Sequence, residues 1–201
     1  MPEIIECEQL SDEWNKARLG SIGGSSISSV VAGGQGKMRK SLMYRLAGEI
    51  LSGEKYEGYR NADMDRGLEQ EAEARSMYEF MTGNEVKQVG LVKIDDHKHY
   101  SPDGLIDPEG INEIKCQIPS VHIECVVNDK IDGSYMKQMQ WGLYVCERQW
   151  CDFTSYSPLI IDKPIWIKRI ERDEKLIKQL DEGADRFLEE LATLIRKFKE
   201  R

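Results

Sequence analysis

The chain has 201 residues, 40% of them hydrophobic and 32% charged, with a net charge of −8. That suffices for one domain (1–201) with a sizeable core. No apolar run approaches the roughly 20 residues of a membrane span. The acidic start, Met1-Pro2-Glu3-Ile4-Ile5-Glu6, lacks the basic and apolar regions of a signal peptide, so a cytoplasmic protein is expected. Five scattered cysteines (Cys7, Cys116, Cys125, Cys146, Cys151) form no C-x-x-C pair. They read as reduced thiols rather than as a disulfide frame, a zinc site or an iron–sulfur cluster.

In chain order, Leu10 to Leu19 is expected to be a short helix capped by Ser11, followed by a Gly/Ser turn from Gly20 to Ser26. Ile27 to Ala32 and Lys40 to Leu51 read as helices, and Ala62 to Met81 as a long one ending at Gly83. The period then changes to that of strands over Val86–Ile94, His99–Ile106 and Ile111–Ile118. Ser134 to Val145 returns to helix, Gln149–Tyr156 and Ile165–Ile170 to strand. Asp173 to Phe198 is amphipathic, with Ile177, Leu180, Ala184, Phe187, Leu191, Leu194 and Phe198 at helical steps. This order predicts an α/β domain with a central mixed sheet flanked by helices.

Net charge argues against nucleic acid, but its distribution does not. Lys37, Arg39, Lys40 and Arg45 form a basic stretch without an acid, whereas from Asp63 to Glu85 seven acids face two bases. Acid beside base is what phosphate bound through metal ions calls for.

The most informative segment is Ser101-Pro102-Asp103-Gly104 followed by Glu113-Ile114-Lys115. In extended backbone, alternate residues share a face, so Glu113 and Lys115 point one way and Ile114 the other. Asp103, at the facing strand's end, can meet Glu113. Two adjacent carboxylates suit Mg²⁺, which binds one or two carboxylates plus phosphate oxygens, and the ammonium of Lys115 can orient an attacking water. Alone, these three residues fit a solvated charged hairpin as well. Asp65, Glu69 and Glu73 share a helical face that is either solvated or supplies a third carboxylate through Glu69, with Met64, Leu68, Ala72 and Met77 opposite. Arg18 with Ser25 and Ser26 can bind phosphate or be an ordinary loop. Gln138 and Gln140, about 200° apart on a helix, serve different purposes, one at the site and one structural. His97, His99 and His122 lack metal spacing, and the first two are expected to flank a surface hairpin. Gly33-Gly34-Gln35-Gly36-Lys37 lacks a P-loop frame.

Taken together, Arg18…Gly24-Ser25-Ser26, Asn61-x-x-Met64-x-x-Gly67-x-x-x-Glu71, Ser101-Pro102-Asp103-Gly104, Glu113-Ile114-Lys115-Cys116 and Tyr135-x-x-Gln138-x-Gln140 resemble the phage lambda exonuclease family. This is the viral-recombinase (YqaJ-like) branch of the PD-(D/E)-x-K nuclease superfamily, with its restriction-endonuclease-like core. The resemblance implies a processive, Mg²⁺-dependent 5′-to-3′ exonuclease on duplex DNA, with two metal ions and Mn²⁺ as a substitute. It also implies a homotrimer, a single-strand-annealing partner and a phage or prophage in a bacterial host. Residue by residue, it implies metal binding by Asp103, Glu113 and the Ile114 carbonyl, assisted by Glu69, and a water positioned by Lys115. It further implies a 5′-phosphate held by Arg18 and Ser25, and site-lining roles for Ser101 and Gln140. Gln117 stands where many relatives have Pro. An endonuclease on the same fold and a non-catalytic DNA-binding subunit remain alternatives.

Overall fold

The computed structural model describes residues 1–33, 36–55 and 62–201, with the side chains of residues 62–65 and 68 outside the description. Asn61, Gly34, Gln35 and the side chains of Met64, Asp65 and Leu68, all invoked above, lie outside the described residues.

Five strands form the main sheet, in the order β2 (Val86–Lys87), β5 (Gly104–Ile106), β6 (Gly110–Cys116), β7 (Trp150–Tyr156) and β8 (Ile165–Glu171). Only β6 and β7 run parallel, with Glu113 opposite Phe153, so the sheet is mixed, as expected. The crossover between them carries two helices, α5 (Pro119–Asn128) and α6 (Gly133–Val145). A second, three-stranded sheet pairs β1 (Glu3–Ile5), β3 (Leu91–Lys93) and β4 (His99–Tyr100).

Two expected strands therefore divide. His99–Ile106 becomes β4 and β5, in different sheets, because Pro102 lacks an N–H for a ladder and the chain turns at Asp103. Val86–Ile94 divides likewise into β2 and β3.

The remaining helices cover both faces. On one face lies α4 (Ala62–Thr82), where Ala74 and Tyr78 join Val86, Ile106, Ile114, Tyr156 and Ile165 in a small core. On the other, α2 (Ile27–Val30), α3 (Lys37–Ser52), α6 and α7 (Glu174–Lys199) bury Trp141, Phe153, Phe187 and their neighbours. At the N-terminal end, α1 (Asp12–Ala17) is capped by the Ser11 hydroxyl, which accepts from the Trp14 N–H at 3.2 Å. Along α7, Ile177, Leu180, Ala184, Phe187 and Leu191 are buried as the period predicted, but Phe198 in the last turn is 68% exposed. The basic stretch splits. Arg39 is spent on a bidentate pair with Glu190 (2.8 and 2.9 Å) that clamps α3 to α7, whereas Arg45 pairs with Glu49. Gln117 donates its N–H to the Tyr156 carbonyl (2.7 Å), a rung that proline could not supply.

Candidate active site

Alternation on β6 places Glu113 and Lys115 on one face, and Ile114, 5% exposed, on the other against α4. Glu113 is 1% exposed and both its carboxylate oxygens accept hydrogen bonds. One oxygen accepts from the Lys115 ammonium and from Gln138 Nε2 (2.5 Å), the other from the Tyr100 hydroxyl. Burial and the Glu113 charge push the Tyr100 phenol well up, so it stays a neutral donor. Its ring is clasped by two glycines: a β-carbon at Gly24 or at Gly142 would stand 2.5 Å from it. Tyr100 was not singled out from the sequence, where a tyrosine in a strand reads as core; the adjacent Ser101-Pro102-Asp103 was its only signal.

Asp103 stands in the bend before β5, with Oδ2 accepting from the Ile114 N–H at 2.6 Å. Since β5 begins opposite Asn112, β6 runs on past it and its edge is open at Ile114. The N–H and carbonyl of one strand residue face the same edge, so the Ile114 carbonyl lies on the side of Asp103. Burial, then the charge of Glu113, push the Asp103 carboxyl well above its ordinary value. For Lys115, burial favours the neutral amine, but Glu113 and Asp103 outweigh it and its pKa is raised.

On α4 the structure brings Glu71, not Glu69, beside Glu113 and Lys115. The inward line of α4 is Glu71, Ala74 and Tyr78, anchored by the Tyr78 hydroxyl on Asp152 (2.7 Å), and Glu69 and Ala72 are exposed on the outer side. Two positions on a helix differ by about 200°, so Glu69, expected to assist the metal, faces away from the side that carries Glu71. Glu71 is pushed up by burial, is opposed by Arg75 and Lys115, and feels Glu113. It pairs with Arg75 at 2.5 Å, and Arg75 in turn donates to the Asp103 carbonyl at 3.3 Å.

The two glutamines of α6 separate as their spacing requires. Gln138 is at the site. Gln140, expected to line it, is instead 1% exposed and structural: its Nε2 donates to the Glu171 carbonyl and its Oε1 accepts from the Asp173 N–H, both at 2.8 Å, tying α6 to the start of α7.

A second polar region adjoins the first. Arg18, Arg45, Lys55, Ser25 and Ser26 line a cavity of about 150 Å³. The Arg18 guanidinium lies 3.8 Å over the Trp14 ring, and Trp14 donates to Ser101 Oγ at 3.0 Å, so Ser101 braces the pocket two residues from Asp103. Burial, then the Arg45 charge, lower Arg18 to about 10, partly offset by Glu49; it remains a cation at neutral pH. Ser26 donates to the Gly23 carbonyl (2.8 Å) and Ser25 is exposed at the rim. His99, expected on the surface, is only 2% exposed and forms part of this wall, while His97 is exposed.

Among the described residues no three acidic, His or Cys side chains converge as a ligand set for one ion. The buried Glu113, the half-buried Asp103 and a strand-edge carbonyl do fit a hard cation, which takes few protein ligands. The upward push that Asp103 receives from Glu113 is the repulsion such a cation would relieve.

A YqaJ-like viral recombinase domain matches residues 13–149. The chain belongs to the YqaJ-like viral recombinase family. Its structure is similar to an alkaline exonuclease, LHK-Exo, from Laribacter hongkongensis, at 36% identity over 94% of this chain and 97% of that one, with a TM-score of 0.88. The same protein in complex with dAMP matches with a TM-score of 0.89. A phage-related exonuclease from Haemophilus somnus 129PT shares the fold, at 16% identity over 89% of this chain and 96% of that one, with a TM-score of 0.68. No curated protein matches the chain. The fold is thus that of the PD-(D/E)-x-K exonucleases expected from the sequence. No helix among the described residues is long and apolar enough to cross a membrane.

Proposed function

We propose that this protein is a Mg²⁺-dependent 5′-to-3′ exonuclease on double-stranded DNA. It releases mononucleotides processively and leaves a 3′ single-stranded overhang for single-strand-annealing recombination of a phage or prophage. The observation that carries this reading is the convergence of Asp103, Glu113 and Lys115 at one open strand edge, beside a separate cationic pocket. LHK-Exo, an alkaline exonuclease that binds dAMP, a nucleoside 5′-monophosphate, supports both the chemistry and the product.

Asp103, Glu113 and the Ile114 carbonyl would hold Mg²⁺, with Mn²⁺ able to substitute, and Glu71 would reach a second ion through water. When bound, the metal lowers the pKa of a water and polarises the phosphoryl oxygens. Lys115 orients the attacking water and offsets charge developing on the phosphorus oxygens. Gln138 and Tyr100 fix the Glu113 carboxylate so that it need not reorganise. Arg18 and Ser25 hold the terminal 5′-phosphate, which sets polarity and draws the strand forward after each cut. Family membership supports a ring-shaped homotrimer, a single-strand-annealing protein as partner, and action in the cytoplasm of a bacterial host.

Digestion of linear against closed circular duplex, with Mg²⁺ and with chelator, tests this. Metal-dependent loss of the linear form with the circle intact is expected. A nicked circle would instead favour an endonuclease, and no cutting with any divalent metal a DNA-binding subunit.

A further inference from the structure

The cationic pocket contains one group that its charge does not account for. His99 Nε2 is buried and has no hydrogen-bond partner, in a cavity lined by Arg18, Arg45 and Lys55, by serine hydroxyls and by the carboxylate of Glu49. A buried polar atom without a partner calls for an explanation.

Its hydrogen-bond role can be assigned. Ser21 Oγ donates its single proton to the Arg18 carbonyl at 2.8 Å. Ser21 Oγ also lies 2.7 Å from His99 Nδ1, and with its proton spent it can only accept there. The proton of the neutral ring is therefore on Nδ1, and Nε2 presents a lone pair. A β-carbon at Gly23 would stand 2.5 Å from Nε2 and 2.9 Å from Cε1, which places Gly23 against the ring's face rather than in line with that lone pair. Burial, then the charges of Arg18 and Lys93, push the imidazole down to about 3, so the free pocket holds it neutral. Across the cavity stand Arg45 and Lys55, and the carboxylate Glu49, which is occupied by Arg45 and the Gly20 N–H.

The cations call for an anion, yet the buried His99 in the wall offers an acceptor, which repels an unprotonated phosphate oxygen. An anion that carries a proton satisfies both. An internal phosphodiester has none to give, whereas a terminal phosphomonoester takes up its second proton near pH 6. We infer that His99 is a specificity-determining residue of this pocket: its Nε2 shares one proton with a terminal 5′-phosphomonoester, so the pocket selects a strand end over an internal diester. The inference rests on the terminal-phosphate reading of Arg18 given above.

The sign of the pH dependence separates the two. If only cations bind the phosphate, the preference for a 5′-phosphorylated end grows or stays level as the dianion forms. If the complex holds one extra proton, that preference falls as pH rises, approaching about tenfold per unit well above pH 6. The test is the ratio of Kd for one blunt duplex with 5′-hydroxyl and with 5′-phosphate ends, in chelator, from pH 6.5 to 8.5. The expected result is a ratio that falls with pH in the wild type and is level or rising in His99→Gln. A level or rising ratio in the wild type overturns the role of His99, and so does an unchanged fall in His99→Gln. If that variant does not fold, the wild-type slope alone decides. A ratio of one in the wild type, or one untouched by Arg18→Ala, overturns the terminal-phosphate reading and the inference with it.

Discussion

The two polar regions are built on opposite deficits. At the β5–β6 edge, Asp103, Glu113 and Glu71 gather negative charge for which Lys115 and Arg75 compensate only in part, and burial pushes Asp103 and Glu71 toward their protonated forms. In the pocket, Arg18 and Arg45 stand beside the one carboxylate of Glu49, which is engaged by Arg45 and the Gly20 N–H, and the buried nitrogen of His99 has no partner. Among the described residues the first region carries more acid than base, and the second more base than acid. Metal ion and phosphate end are complementary to these two needs. The two-residue strand β4 joins them: successive side chains point to opposite sides, so Tyr100 reaches Glu113 while His99 reaches the pocket.

The comparison can be broken at either end. The largest effect is expected at the carboxylate edge. Asp103→Asn and Lys115→Ala each lower cleavage of linear duplex by roughly a thousandfold or more, since each removes a group aimed at the developing charge. Activity within tenfold of wild type in either would remove the site assignment. The same Asp103→Asn change carries a stability prediction of opposite sign. The folded Asp103 carboxyl has its pKa raised above the ordinary 3.8, so without metal its ionisation costs stability, lost as pH rises from that value through the raised one. At pH 7 in chelator, Asp103→Asn should melt no lower than wild type, and Mg²⁺ should raise the melting temperature of wild type only. A drop of several degrees in the variant would mean that the carboxylate is stabilising.

Smaller and sharper is the contrast on α4. Glu71→Gln is expected to slow cleavage about 10- to 100-fold, the usual scale for groups that orient metal ligands. Glu69→Gln should stay within twofold, and the reverse order would restore the outer face of α4 to the site. On α6, Gln138→Ala should lower kcat with little change in stability. Gln140→Ala should leave kcat alone and destabilise by about 1–3 kcal/mol, the cost of stranding buried partners; thermal melts beside steady-state kinetics distinguish the two.

Those contrasts also mark what could be read in the chain. On β6 the two-residue period and a fixed ten-residue offset to Asp103 were enough, because a strand's faces follow from counting alone. On α4 the counting needs a phase, and its apolar residues do not draw a clean stripe. What sets the phase is Tyr78 reaching Asp152 on β7, a contact 74 residues away. Helix α5 was missed for a related reason: Val121, Ile123, Val126 and Val127 favour strands, and Pro119 reads as a breaker although it suits the first turn of a helix. Strand β1 pairs with β3 across more than 80 residues, and no local signal announces it. His99 was placed on the surface because His97-Lys98-His99 is polar throughout, whereas the second sheet folds it inward.

The central claim is that a metal-dependent edge and an end-recognising pocket act together on the 5′ strand. It is tested most directly by digesting a linear duplex labelled on one strand at a time, with Mg²⁺ or chelator and with 5′-phosphate or 5′-hydroxyl ends. The account predicts metal-dependent release of mononucleotides from the 5′-phosphorylated strand, slower release from the hydroxyl end, and an intact complementary 3′ strand. Release from the 3′ strand, or equal rates from both kinds of 5′ end, would contradict it.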